Sequence, residues 1–299
     1  MLAEIFYWIF NMSIIASVMG LIVLLIRKIK VIPHRVSVVL WIIPFVRMCI
    51  PFGINSRYSL MTQIARFTTK TVDVYDSLSF SNTLMMADSY FPLTFKSELL
   101  GNIFRIAGVI WAVVALAIII TLAVLYITTI REVRDAVKLE KNVYVSEKVT
   151  TPAVYGIIRP RIILPSSYPE KDLKYILLHE KTHIRRLDNL WRLFGFLAAA
   201  IHWFNPLSWV YLKVFLSDLE LACDETAISK CSSEDRKEYA HTLLNCTQSK
   251  SVFVSAFGGA KVRTRIENIL SQKPMTVVSS IGFAALVTAI IFALLTNAG

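Results

Sequence analysis

The sequence predicts a mainly α-helical, multi-span membrane protein that carries a cytosol-facing domain with a small β-sheet. Hydrophobic residues make up 55% of the 299 positions, which is too apolar for an ordinary soluble domain of this length. The charged residues are unevenly spread: residues 131–276 carry 22 Lys/Arg and 16 Asp/Glu, whereas the stretches around them are apolar. Both observations favour a membrane bundle joined to one polar domain.

Four stretches are long and apolar enough, or nearly so, to span a bilayer, which takes about 20 residues. They are residues 5–26, 36–54, 106–130 and 277–296. The first lacks a basic leading segment and a small-residue cleavage site, so we expect an anchor rather than a cleaved signal peptide. A fifth apolar stretch, residues 193–216, contains polar side chains and is expected to dip into the membrane or lie against it.

Charge sets the predicted orientation. The short segment 27–35 contains four Lys/Arg and no acid, so it should face the cytosol by the positive-inside rule. The predicted organisation is two transmembrane helices in residues 1–54, an extracellular loop in 55–105, a third transmembrane helix in 106–130, a cytosolic domain in 131–276, and a fourth transmembrane helix with a short outer tail in 277–299. Both termini would then lie outside.

The net charge of +11 follows from this arrangement and favours the anionic lipid bilayer as a partner. No dense basic run interleaved with aromatic residues is present, so we expect no direct nucleic-acid binding. The four cysteines form no CxxC pair, and three of them fall in the predicted cytosolic part, where reduced thiols are expected.

The cytosolic part has a mixed pattern of predicted elements. A charged helix is expected over residues 131–141, followed by short strands over 142–167, where Val, Tyr and Ile dominate between prolines. Helices are then expected over residues 171–200, 207–230 and 232–246, with a break at "HWFNP" and a capping box at "SSED". A proline-bearing strand in "TPAVYGIIRPRIILP" could hold a substrate peptide at its edge or be plain domain structure.

The motif "HEKTH" at residues 179–183 is the strongest chemical signal. Residues four apart share one face of a helix, so His179 and His183 can bind one zinc ion. Glu180 is offset from that face and can act as general base on the attacking water in amide hydrolysis. The alternative, a surface helix with an accidental pattern, is disfavoured by the apolar residues on both sides.

A catalytic zinc site takes three protein ligands, so a third is needed. The best candidate lies in "DLELACDE", where Glu220 would bind zinc and Asp224, on the same helix face, would accept an imidazole N–H from behind. Asp218 and Glu225 compete for the ligand role. An acidic patch on a surface helix is the structural alternative.

HExxH followed by ExxxD resembles the gluzincin membrane proteases. Together with "TPAVYGIIRPRIILPSSY", "HWFNPL" and "ELACDE", the motifs are similar to those of the BlaR/MecR family of bacterial sensor-transducers, over about residues 105–296. The resemblance implies His179, His183 and Glu220 as zinc ligands and Glu180 as catalytic base. It also implies a gluzincin-like protease domain on the cytosolic side of the bacterial cell membrane, which inactivates a winged-helix repressor of resistance genes and cleaves itself near the last span.

The sequence departs from the family in one respect. The family's best-known members carry an extracellular penicillin-binding domain after the last span, whereas this chain stops at "TNAG" and contains no SxxK motif. It is therefore expected to be a relative without that sensor, or a truncated chain, and direct acylation by a β-lactam is not supported. Residues 254–261, "VSAFGGAK", are a candidate self-cleavage segment or an ordinary linker.

The sequence thus predicts a membrane zinc metalloendopeptidase that transduces an antibiotic or cell-envelope signal to a cytosolic repressor. Two alternatives stay open, a quality-control membrane protease with broad substrates and a non-catalytic receptor or scaffold with structural zinc. The activating signal is not readable, and a homo-oligomer is compatible with the sequence.

Overall fold

The structure is a computed structural model. It describes residues 2–29, 32–49, 98–167, 170–246 and 260–271, together with residues 55–56 and isolated positions between 282 and 298. In that part of the chain the fold is mainly helical with a small four-stranded mixed sheet and a two-residue strand pair between 55–56 and 297–298, which confirms the predicted class at this level. Most of the predicted fourth span, most of the predicted outer loop and the candidate self-cleavage segment lie outside the described residues, apart from Ala260 and Lys261 of that segment.

Two helices are long and apolar enough to cross a membrane, α1 (Leu2–Arg27) and, from Gly101 onward, α3 (Glu98–Glu132). They pack side by side, and α3 turns many large apolar side chains outward, as a lipid-facing helix does. In the sequence, α2 (His34–Cys49) comes between these two helices; it is shorter than the predicted span and contains Pro44. The two long helices fit the predicted first and third spans, whereas the four-span topology and its orientation stay predictions.

A helical hairpin packs against these helices. Its arms are α5 (Asp188–Ile201) and α6 (Pro206–Ala227), and the predicted break at "HWFNP" separates them. Asn205 caps α6, accepting the backbone N–H of Leu207 at 3.0 Å. The buried core between α1, α2 and the hairpin contains Trp41, Tyr211 and Phe215.

The hairpin is fixed to α1 and α3 by polar contacts as well as by apolar packing. The tip amide of Asn205 donates to the hydroxyl oxygens of Ser13 and Ser17 at 2.8 and 2.7 Å. Trp111 of α3 donates to the carbonyl of Ile201 at 2.7 Å. Gly20 permits the close approach, because a Cβ there would overlap the Tyr211 ring. Residues 193–216 therefore lie against the apolar helices, and their predicted contact with the membrane stays a prediction.

The sheet contains β1 (Val137–Glu140), β2 (Val143–Ser146), β3 (Ala153–Tyr155) and β4 (Arg161–Pro165) in the order β1-β2-β4-β3. The β2–β4 pair is parallel and the other two pairs are antiparallel. The predicted helix over 131–141 is wrong beyond Glu132, because residues 137–140 pair with β2 instead. Tertiary pairing here overrides the helix signal of the charged segment.

Helix α4 (Leu173–Arg186) packs on the sheet through Ile176, which is buried with Ile162 and Leu164. The single helix predicted over 171–200 is wrong, because the chain breaks at Leu187, whose φ of 57° is left-handed. That conformation is unfavourable for a residue with a Cβ. It turns Asp188, at the start of α5, back toward α4.

The remaining helices are α7 (Ser233–Cys246) and α8 (Val262–Ser271). The predicted cap of α7 is present: Ser232 Oγ accepts the backbone N–H of Asp235 at 3.1 Å. Helix α8 packs on α6 and α7, and its Ile269 is fully buried beside Tyr239. Helices α4, α6, α7 and α8 therefore meet around one point, where the HExxH motif lies.

Candidate metal centre

The two histidines of the motif face each other on α4. Their Nε2 atoms lie 3.1 Å apart, and both side chains are buried. One helical turn separates the residues, so the imidazoles project side by side from the same face. Two nitrogen lone pairs are thus directed at one point.

The opposite side of each ring is held by an acceptor or hydroxyl group. His183 Nδ1 lies 2.7 Å from Asp188 Oδ2. His179 Nδ1 lies 2.8 Å from the Tyr239 hydroxyl and 3.3 Å from Asp224 Oδ1, and the same hydroxyl donates to Asp224 at 2.8 Å. An ionised carboxylate can only accept hydrogen bonds. Asp188 therefore keeps a proton on Nδ1 of His183 and leaves Nε2 of His183 free for a metal.

Glu220 of α6 comes nearest to completing a set of three donors. Its two carboxylate oxygens lie 3.8 Å from His179 Nε2 and 3.7 Å from His183 Nε2. The competing candidates lie elsewhere. Asp218 accepts from Arg27 and from Trp41 Nε1, and Glu225 accepts the backbone N–H groups of His34 and Arg35. Both alternatives therefore bind α1, α2 and the chain between them.

Cys223 also approaches the histidines, and its sulfur forms a compact group with their nitrogens. The contact is with the wrong side of one ring, however. The Cys223 sulfur lies 3.7 Å from His179 Nδ1 and 3.6 Å from the His179 carbonyl oxygen, whereas Glu220 faces the Nε2 atoms. The sulfur therefore lies behind the His179 imidazole, although it also contacts His183, and we expect Glu220 to be the third donor.

Positive charges surround the carboxylates. Arg192 and Arg265 each pair with one oxygen of Glu220. Burial acts to raise the pKa of Glu220, but the charges of His183, Arg265 and Arg192 outweigh it and lower that pKa to about 2. Burial likewise acts to raise the pKa of Asp224, and Arg265 overcomes this and lowers it. Both groups are therefore ionised at neutral pH, as metal binding requires.

These donors fit a divalent metal ion. Two imidazole nitrogens and a carboxylate converge within 3.8 Å of one another, and each imidazole is oriented from behind. Donor pairs of a tetrahedral zinc site with bonds of about 2.0–2.1 Å stand at similar separations.

Glu180, the predicted base, lies on the same buried turn of α4 as His179. Tyr155, at the end of the edge strand β3, is within electrostatic reach of it. The pKa of Tyr155 is raised by burial and then by the negative charges of Glu132 and Glu180. Beside this strand, Asn189 donates to the carbonyl oxygens of Val154 and Gly156 at 3.1 and 3.0 Å. A substrate strand added there would have to share these acceptors.

The structure thus brings together His179, His183, Glu220 and Asp224, with Glu180 alongside. Their roles as ligands, supporting acceptor and base stay predictions. Sequence reasoning missed Tyr239 and Arg265. Both contact His179, and they lie 60 and 86 positions beyond it in the chain. Asp188 binds Arg186 at 3.2 Å and also holds His183 Nδ1 at 2.7 Å.

Comparisons with known proteins point to one family. The model of the family "BlaR1 peptidase M56" matches residues 7–270. Regulatory protein BlaR1 of Bacillus licheniformis is 28% identical over 151 residues, which are 49% of this chain and 25% of that protein. The methicillin resistance mecR1 protein of Staphylococcus aureus (strain Mu50 / ATCC 700699) is 26% identical over 114 residues, 37% of this chain and 20% of that protein.

Regulatory protein BlaR1 of Staphylococcus aureus is 26% identical over 143 residues, 44% of this chain and 24% of that protein. The chain therefore aligns with a quarter or less of the length of these curated relatives. The family model, in contrast, runs from the first helix through the metal centre to the end of α8. On that match, this chain belongs to the BlaR1 peptidase M56 family.

Proposed function

We propose that this chain is a zinc-dependent membrane endopeptidase that relays an extracellular signal by cleaving a cytosolic winged-helix repressor. The observation that carries the proposal is the convergence of His179, His183 and Glu220 beside Glu180. Two relatives are named regulatory proteins and one a methicillin resistance protein, which supports a role in signalling. Self-cleavage would belong to the same activity.

The side chains divide the chemistry between them. A zinc ion bound by the three donors would supply a Lewis acid that polarises a peptide carbonyl and makes water more acidic. Glu180 would take a proton from the attacking water and deliver it to the leaving amine. Asp224, Tyr239 and Asp188 would keep the imidazoles in the tautomer that leaves Nε2 free.

The contacts support a site at the inner face of the membrane. Arg27, the last residue of α1, binds Asp218, and Glu220 follows two residues later, about 3 Å further along the helix axis. The charge of Glu132, the last residue of α3, acts on Tyr155 beside the site. The apolar helices thus end at the level of the metal centre, where a cytosolic substrate could reach it.

The need for Glu180 separates the proposal from the scaffold alternative. A structural zinc site in a receptor or scaffold has no need of Glu180, whereas hydrolysis depends on it. A quality-control protease would need Glu180 too, but it would cleave many clients rather than one repressor. Comparison of the proteome before and after induction separates one cleaved repressor from many cleaved proteins.

The test is repressor cleavage in cells that carry a reporter under the repressor's control. Cells with the wild-type chain should cleave the repressor and induce the reporter. Glu180→Gln should abolish both while the protein still binds zinc, and Glu238→Gln, on the exposed surface of α7, should change neither. Signalling that survives Glu180→Gln would overturn the proposal in favour of the scaffold.

A further inference from the structure

Arg265 of α8 reaches into the metal centre from a helix that the motif does not include. Its guanidinium donates to both oxygens of Asp224, from Nε at 2.7 Å and from Nη2 at 2.8 Å. This parallel, two-bond contact is the strongest geometry between arginine and a carboxylate. The side chain is only 11% exposed, so the pair is shielded from water.

The same guanidinium also touches two of the three metal donors. Nη1 lies 3.3 Å from Glu220 Oε2, and Nη2 lies 3.3 Å from His179 Nε2. Arg265 thus bridges Glu220 to Asp224, the carboxylate that supports His179. No sequence motif predicts this contact, because α8 lies 41 residues beyond Asp224 in the chain.

The bridge has a clear electrostatic purpose. Glu220 and Asp224 lie one turn apart on α6, the first partly buried and the second fully buried, and they carry like charges that repel each other. Arg265 neutralises that repulsion and fixes both carboxylates through a rigid fork of donors, which a lysine cannot reproduce. A flexible or absent partner would leave the carboxylates free to turn away from the imidazoles.

We propose that Arg265 is a positioning residue that couples the docking of α8 to the formation of the metal site. The inference rests on the proposed zinc site and extends it. When α8 is docked, Glu220 and Asp224 are held for metal binding; when α8 leaves, the site loosens.

Coupling of this kind is reciprocal: if docking of α8 favours the metal, the metal must favour docking by the same factor. The first experiment uses this with the full wild-type chain in lipid nanodiscs. Hydrogen exchange of the backbone amides of residues 262–271 should slow when zinc is added and speed up again with a chelator. Identical exchange with and without zinc would overturn the coupling.

The second experiment compares two identical changes on the same helix. Arg265→Gln should weaken zinc binding by about tenfold to a hundredfold, which is typical of residues that orient metal ligands. Arg263→Gln removes an exposed pair with Glu267 and should leave the affinity unchanged. Arg265→Lys should recover only part of the loss. Equal or tighter zinc binding by Arg265→Gln would overturn the proposal.

The readouts also separate this inference from the proposed function. Zinc-dependent protection of α8 without any cleavage of a repressor would leave the coupling intact and refute the assigned substrate. If the wild-type chain cleaves the repressor but Arg265→Gln leaves the zinc affinity unchanged, the assigned substrate stands and the coupling is refuted. Circular dichroism of each variant reports its helix content, so a variant that fails to fold is recognised. In that case the exchange experiment on the wild-type chain still tests the coupling.

Discussion

The imidazoles of His179 and His183 hold protons more tightly than free histidine does. Burial acts to lower the pKa of His183, but the negative charges of Cys223 and Glu220 and the bond to Asp188 raise it to about 9. Burial also opposes protonation of His179, and Cys223 and Asp224 outweigh it and raise its pKa. At neutral pH the metal-free pair is therefore protonated, and a metal ion must displace a proton to bind.

This leads to a pH dependence with a definite sign. The raised pKa values mean that protons compete with zinc below about pH 9, so zinc affinity should fall as the pH falls. Calorimetric titration at pH 7 in two buffers of different ionisation enthalpy should show release of about one proton or more per zinc. Zinc uptake without proton release, and with the same affinity at pH 6 and pH 8, would contradict this account of the histidine pair.

Helix α6 links the membrane bundle to the metal centre because it has two acidic faces. Asp218 and Glu225, seven residues apart, point to α1 and α2. Glu220 and Asp224, four residues apart, point to the histidines. At 3.6 residues per turn the two pairs point about 130° apart around the helix axis. The contacts of the first pair therefore fix the rotation that aims the second.

Asp218→Asn tests that role. The buried carboxylate accepts from Arg27 and Trp41, so the change should lower the free energy of unfolding in detergent by about 1.5–3 kcal/mol. Asp135→Asn is the matched control. It removes an exposed pair with Lys148 and should leave the free energy of unfolding almost unchanged. An Asp218→Asn effect no larger than that of the control would show that this anchor is dispensable.

At the scale of elements, what the sequence could predict follows from distance along the chain. His179 with His183 and Glu220 with Asp224 are short-range patterns on single helices, so their spacing alone indicated which side chains share a face. The Asp218–Arg27 contact joins residues 191 positions apart, and no local rule predicts it. The break at Leu187 was likewise missed because the helical pattern runs on through it, whereas the structure turns Asp188 onto His183 there.

Across the whole molecule, the hairpin of α5 and α6 joins inner positions of the apolar helices α1 and α3 to the metal centre. Its tip contacts Ser13 of α1 and Trp111 of α3, while its two ends carry Asp188 and Glu220. Composition and hydropathy predicted the apolar helices and the polar domain as separate parts. Their contact through a shared hairpin depends on packing of residues far apart in sequence, such as Tyr211 against Gly20, which composition does not reveal.

The central claim is that His179, His183 and Glu220 form one zinc site, and the zinc content of purified variants tests it most directly. The wild-type chain and Cys223→Ala should each hold about one zinc per chain, and Glu220→Ala should hold far less. Zinc lost from Cys223→Ala and kept by Glu220→Ala would make the sulfur the third ligand. A wild-type chain that takes up no zinc would contradict the metal centre itself.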